Sequence, residues 1–195
     1  MAHTSSTELG AGERQELLQL ARAAIRHGLE QGGRMTVDPQ EYDEQLQRNG
    51  ACFVTLTEQG DLRGCIGSLQ AYRSLVTDVA EHAHAAAFND PRFPPLSAEE
   101  FEKIDISISV LGEPEEMQVV DEEDLCRQLE PGVDGVILEC GSLRGTFLPS
   151  VWESLPDCRE FVRHLKIKAG LPPDFWSDDV RLSRYSTYAF AESEG

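Results

Sequence analysis

The sequence predicts an α+β protein, built mainly of antiparallel sheet with flanking helices. Two β-hairpins, Cys52 to Gly67 and Val136 to Leu148, supply strands joined by tight turns rather than by crossover helices. A third stretch, Lys103 to Leu111, alternates cleanly: Ile104, Ile106, Ile108 and Val110 fall on one face, Asp105, Ser107 and Ser109 on the other. Between these strands lie segments with helical spacing of apolar residues.

The elements follow in order. Met1 to Glu13 is polar and small-residue-rich and is expected to be a mobile tail. From Gly12 to Glu30, Leu17, Leu20, Ala21, Ala24, Ile25 and Leu29 recur at helical spacing, and Gly32-Gly33 stops the helix. Thr36 to Leu46 reads as a loop, with room for a short helix after Pro39. In the first hairpin, Cys52 to Thr57 and Leu62 to Gly67 are the strands and Glu58-Gln59-Gly60-Asp61 the turn. Strict alternation puts Leu62, Gly64 and Ile66 on the core face and Arg63 and Cys65 on the opposite, solvent or cleft face. Ser74 caps a helix running to Phe88, whose alanines suggest close packing on a sheet. Asp78, Glu81, His82 and His84 are expected on its surface. His82 stands four residues after Asp78, close enough for an ion pair. His82 and His84, two apart, point away from each other and do not make a shared metal site.

Asn89 to Pro95 is a rigid, proline-rich loop. Asp90 and Arg92 form a functional edge or a local pair, with Phe93 plugging the core. Asp121 to Asp124 opens a short helix as a solvated acidic first turn. In the second hairpin Gly141-Ser142-Leu143-Arg144-Gly145 echoes Gly60-Asp61-Leu62-Arg63-Gly64, so Arg144 is expected to mirror Arg63, with Thr146 in the place of Cys65. Asp157 caps a helix that Gly170 closes, with Lys166 and Lys168 in its last turn. Val180 to Phe190 is one or two strands, and the final residues should fray. Residues 14–195 read as one domain, with a possible subdomain change near 112.

Composition bounds the function. The 195 residues carry 35 acidic and 17 basic side chains, a net charge of −18, and that field disfavours nucleic acid and anionic membrane surfaces. No apolar run reaches the roughly 20 residues of a membrane span. The N-terminal residues show no apolar leader core, so a cytoplasmic location is expected. The five cysteines are widely spaced and odd in number, which argues against a disulfide framework, and local spacing supports no metal site and no cofactor.

Leu62-Arg63-Gly64-Cys65-Ile66-Gly67 resembles the six-residue signature of the AMMECR family. The similarity runs over nearly the whole chain from about residue 14. It includes Phe53-Val54-Thr55-Leu56, Ala86-Ala87-Phe88 with Asp90 to Pro95, Ile108 to Leu111, Thr146 to Pro149, and Lys168 to Leu171. Val151-Trp152-Glu153 and Arg184-Tyr185 look most like the bacterial branch, protein A of the AmmeMemoRadiSam system. The resemblance implies two unequal subdomains with a cleft between them, and a Memo-type protein and a radical-SAM enzyme as partners. It supplies no reaction. Arg63, Gly64, Cys65 and Gly67 carry over from the signature, and Asp90, Arg92 and Phe93 from the loop. Ser150 departs from the glutamine usual after Leu-Pro in relatives.

Two readings stay open at this point. In one, Cys65 is a nucleophile whose thiolate Arg63 stabilises, Gly64 and Gly67 let a ligand approach, and Asp90 or a histidine is the base. In the other, the protein is a binding or adaptor module, with Arg63 and Arg92 as contacts for a small anionic ligand. Nucleic-acid regulation is a distant third.

Overall fold

The computed structural model describes residues 8–194. Among them are six α-helices and eight strands in two antiparallel four-stranded sheets. The described residues divide into two compact units, residues 8–111 with 188–194, and residues 112–187.

The first unit begins with α1 (Ala11–Gln31), which buries Leu17, Leu20, Ala21, Ala24 and Ile25. The helix starts inside the stretch expected to be a tail. Leu9 before it is buried, and its carbonyl accepts the Tyr188 hydroxyl at 2.7 Å. Residues 1–7 of that stretch lie outside the described residues. A short 3-10 turn at Pro39–Glu41 and α2 (Glu44–Gln47) precede the hairpin of β1 (Cys52–Glu58) and β2 (Asp61–Gly67). Then follow α3 (Leu75–Phe88), α4 (Ala98–Phe101) and β3 (Ile104–Leu111); β8 (Thr187–Ala191) returns later. The sheet order is β2-β1-β3-β8, so β2 is an edge strand. Val54, Leu56, Ile106, Ile108 and Phe190 form the core with the inner faces of α1 and α3. The last turn does not fray through Glu192, which pairs with Arg22 at 2.6 Å and accepts the Ile106 N–H at 3.0 Å.

The second unit holds β4 (Glu115–Met117), α5 (Glu122–Gln128), β5 (Gly135–Cys140), β6 (Leu143–Phe147), α6 (Cys158–Ala169) and β7 (Arg181–Tyr185), with sheet order β4-β7-β5-β6. Trp152 stacks on Phe161 with ring centroids 3.7 Å apart. Two expectations fail here. Cys126 and Cys158 form a disulfide that ties α5 to α6. Lys166 is not a solvated dipole partner: it is buried on the inner face of α6, where its ammonium reaches Glu122 of α5 at 2.5 Å. Helix periodicity shows which face a residue takes, but not that a carboxylate from another helix waits there.

The two G-x-L-R-G stretches do occupy equivalent places, with one difference. Gly64 pairs with Leu56 and Gly145 with Leu138, each strand partner lying three residues before its turn. Each glycine lets a helix backbone approach: an added Cβ would come within 2.2 Å of the Ala86 carbonyl oxygen in one case and 2.9 Å of the Ala169 nitrogen in the other. The first hairpin turns at Gln59-Gly60, both at positive φ, and the second at Gly141-Ser142. The first therefore has one residue more between turn and glycine, and its pairing jumps from Thr57↔Leu62 to Leu56↔Gly64, leaving Arg63 as a β-bulge.

Candidate functional site

The bulge decides the site. In a regular strand Leu62 would share the core face with Gly64. With Arg63 bulged out, Leu62 lies opposite Thr57 on the outer face and is 43% exposed. Arg63 turns off the sheet and is buried, the reverse of the sequence expectation. Its Nε donates to Glu100 Oε1 at 2.7 Å, and its Nη2 to Glu100 Oε2 at 3.2 Å and to the Pro94 carbonyl at 2.8 Å. Glu100 is itself set by the Ser97–Glu100 capping box of α4. Arg63 holds the Glu100 carboxyl down at about 2. Arg144 does not mirror this arrangement. Without a bulge it pairs across the strand with Glu139 at 3.6 Å, partly exposed.

Past the bulge, Cys65 lies opposite Thr55 on the outer face and is half-buried. The Cys65 N–H donates to Asp90 Oδ2 at 3.0 Å, and its carbonyl accepts Arg92 Nη2 at 3.4 Å. Both backbone groups thus point to the free edge of β2. That makes Thr55–Cys65 the kind of pair in which side chains lie closest, and the Thr55 hydroxyl donates to the Cys65 sulfur at 3.2 Å.

Asp90, on the loop after α3, is buried. Besides the Cys65 N–H it accepts Arg92 Nε at 3.0 Å, Arg92 Nη2 at 2.7 Å and the Arg92 N–H at 3.1 Å. These bonds, the Arg92 side chain first, hold its carboxyl far below the usual carboxylate range. A carboxylate this committed is no general base for Cys65, which removes one role the sequence left open to it. The Arg92 side chain stays 52% exposed. The Phe93 ring takes both guanidiniums against it, with its centroid 5.6 Å from each.

The expected ligand access at the signature glycines is taken up by packing. The Ala86 backbone occupies the space over Gly64, and the Phe53 ring lies 2.4 Å from an added Cβ at Gly67. A surface concavity lined by Gly10, Glu13, Glu16 and Asp43 includes none of these residues and offers no cation.

A second polar cluster lies on the inner side of the same hairpin; the sequence anticipated its Asp78–His82 pair, but on the surface and without Cys52. Asp78, expected on the helix surface, is fully buried, and His82 and His84 are buried too. Asp78 Oδ2 accepts the Cys52 N–H at 2.9 Å and the Cys52 thiol at 3.3 Å, and lies 3.2 Å from His82 Nδ1. Its Oδ1 accepts Arg73 Nε at 2.8 Å and the Ser68 hydroxyl at 3.4 Å. Burial alone would raise the Asp78 carboxyl; the hydrogen bonds from His82 and Arg73 bring it below its ordinary value. Burial, with Asp78 alongside, pushes the Cys52 thiol well up. The legible signal was the Asp78–His82 spacing, which places both on one helix face. The missing fact was that this face meets Cys52.

The AMMECR1 family profile matches residues 18–190. The chain is 38% identical over 190 residues to a protein of Methanothermobacter thermautotrophicus, covering 94% of this chain and 96% of that one. It is 36% identical over 185 residues to a protein of Methanocaldococcus jannaschii, covering 91% and 89%. Among solved structures, the crystal structure of an uncharacterized protein from Pyrococcus horikoshii superposes with a TM-score of 0.81 at 32% identity, covering 94% of this chain and 93% of the other.

Proposed function

Because this chain belongs to the AMMECR1 family, we propose that it is a ligand-binding or adaptor protein that seats a small anion on Arg92 beside the Cys65 thiol. The observation that carries this reading is the Asp90 carboxylate. It grips the Cys65 N–H and the Nε–Nη2 edge of Arg92 together, so an exposed guanidinium is held rigid next to a half-buried thiol. No described residue engages Arg92 Nη1, which leaves that donor for a ligand oxygen. Preorganised guanidinium donors suit carboxylate and phosphate oxygens. Arg63 supports the site as scaffold, since its Nε and Nη2 are taken by Glu100 and Pro94 and its Nη1 is buried away from solvent.

The alternative, an enzyme with Cys65 as nucleophile, needs a base within reach of the sulfur. The one described side chain that hydrogen-bonds the sulfur is Thr55, which donates. That favours binding over covalent chemistry.

The residues similar to the bacterial branch, Val151-Trp152-Glu153 and Arg184-Tyr185, support a place in the AmmeMemoRadiSam system. There the anion would be an intermediate passed between the Memo-type and radical-SAM partners. No helix among the described residues is long and apolar enough to cross a membrane. The unpaired Cys52, Cys65 and Cys140 support a cytoplasmic setting, and the Cys126–Cys158 bond weighs against it.

Alkylation of Cys65 tests the reading. With iodoacetamide, followed by mass spectrometry of the Cys65 peptide, added inorganic phosphate should slow the reaction severalfold in the wild type and leave the Arg92→Ala rate unchanged. Equal phosphate protection in Arg92→Ala, or none in either protein, overturns it.

A further inference from the structure

We propose that Cys52, Asp78 and His82 form a binding site for a zinc-class divalent transition metal, apart from the Cys65–Arg92 site and resting on none of its argument. The three side chains present one donor atom each, all within 4.8 Å of one another and all buried. Their separations are 3.3 Å from Cys52 Sγ to Asp78 Oδ2, 3.9 Å from Cys52 Sγ to His82 Nδ1, and 3.2 Å from His82 Nδ1 to Asp78 Oδ2. For a tetrahedral zinc with bonds of about 2.0 to 2.3 Å, neighbouring donors stand about 3.3 to 3.6 Å apart. A metal therefore fits with movements of a few tenths of an ångström.

The donor set is one thiolate, one imidazole and one carboxylate. A sulfur and a nitrogen donor together favour zinc over magnesium or calcium, which take oxygen. Three protein ligands leave a fourth position for water or another group.

The surroundings are arranged as metal ligands usually are. The carboxylate is oriented through its other oxygen: Oδ1 takes Arg73 Nε and the Ser68 hydroxyl while Oδ2 faces the sulfur and the imidazole. Asp78 and His82 are i,i+4 on α3, which fixes their mutual geometry, and Cys52 is pinned by its own N–H on Asp78. In the metal-free arrangement His82 Nδ1 faces the Asp78 carboxylate at 3.2 Å and Nε2 lies 3.4 Å from Arg73 Nη2, which assigns the ring proton to Nδ1 and makes Nε2 the acceptor. Metal binding transfers the imidazole proton to Nε2 and releases the thiol proton to solvent. Arg73 must then withdraw from Nε2. It can, because its side chain is 24% exposed and lies over the exposed Tyr72 ring at the surface.

Cobalt titration of the full chain tests the site. The chain is treated with chelator and carries Cys65→Ser and Cys140→Ser, so that Cys52 is its one unpaired thiol. One equivalent of cobalt should produce a sulfur-to-cobalt charge-transfer absorption, and zinc should abolish it by displacement. His82→Gln, which keeps the size of the side chain, should weaken cobalt binding at least tenfold with an unchanged circular dichroism spectrum. Absence of the band at stoichiometric cobalt overturns the proposal, whatever the variants do. So does a band of undiminished affinity in His82→Gln.

Discussion

The Asp90 carboxylate accepts the backbone N–H of Cys65 at 3.0 Å, so a side chain from the loop after α3 occupies the free edge of β2 where another strand would pair. The same carboxylate fixes Arg92, whose Nη2 reaches the Cys65 carbonyl. One acid thus sets the edge of the sheet and the exposed cation together.

Replacing it separates these effects. Asp90→Ala leaves the Cys65 N–H to water and frees Arg92. Stability should fall by about 1.5–3 kcal/mol, the usual worth of a hydrogen bond to a charged group. Phosphate affinity should fall too, because the guanidinium is no longer preorganised. Urea unfolding and a phosphate titration measure the two losses.

The Arg63–Glu100 pair predicts an acid dependence. Glu100 titrates near 4.5 when free and at about 2 beside Arg63. Between those values the unfolded chain takes up a proton that the folded chain refuses, so stability rises with pH there. The contribution is complete above about pH 4.5 and disappears as pH falls toward 2. Urea midpoints measured from pH 6 to 2 should fall less steeply in Glu100→Gln. Asp90, shifted in the same direction, leaves that variant a residual slope.

Gly64 and Gly145 make the same close approach to a helix, but unequally. A Cβ at Gly64 would stand 2.2 Å from the Ala86 carbonyl oxygen, and at Gly145 2.9 Å from Ala169 atoms. Gly64→Ala should therefore cost more than Gly145→Ala, with Gly64→Ala at or above the top of the range of about 1–3 kcal/mol for overpacking. Equal unfolding free energies for the two variants would contradict the packing described.

Asp78→Ala removes the acceptor shared by the Cys52 N–H, Arg73 and His82 in the first unit's core. Leaving the Cys52 N–H and the His82 ring nitrogen in the core without that acceptor should destabilise the chain by about 1–3 kcal/mol, while Arg73, partly exposed, turns to solvent. Chemical denaturation of the variant, monitored by circular dichroism, measures it.

Much of the fold was legible in the residues themselves. Alternation in Ile104 to Val110 gave β3, glycine-marked turns gave both hairpins, and Ser74 and Asp157 cap α3 and α6 as read. The Asp90 loop was legible as a neighbour of the Cys65 strand, but as a base for the thiol and not as the acceptor of the Cys65 N–H that it is. What failed depended on packing between elements. The alternation that placed Leu62 inside assumed a regular strand, and the bulge at Arg63 is the one residue more that this hairpin carries between its two-residue turn and its glycine than the hairpin at Gly141-Ser142 does. Asp78 and His82 looked like surface charges because nothing local marks the helix face that meets Cys52. Cys126 and Cys158 looked unpaired because spacing along the chain carries no record of α5 lying against α6.

The claim that the protein binds an anion at Arg92, rather than doing chemistry at Cys65, is tested most directly by phosphate affinity at low ionic strength in three proteins. Nuclear magnetic resonance titration of the wild type should give saturable shifts centred on the Cys65 amide and the Arg92 side chain. Arg92→Ala should bind at least tenfold more weakly, about 1.4 kcal/mol, and Cys65→Ser should bind as the wild type does. Undiminished binding in Arg92→Ala, with loss in Cys65→Ser, would contradict the account.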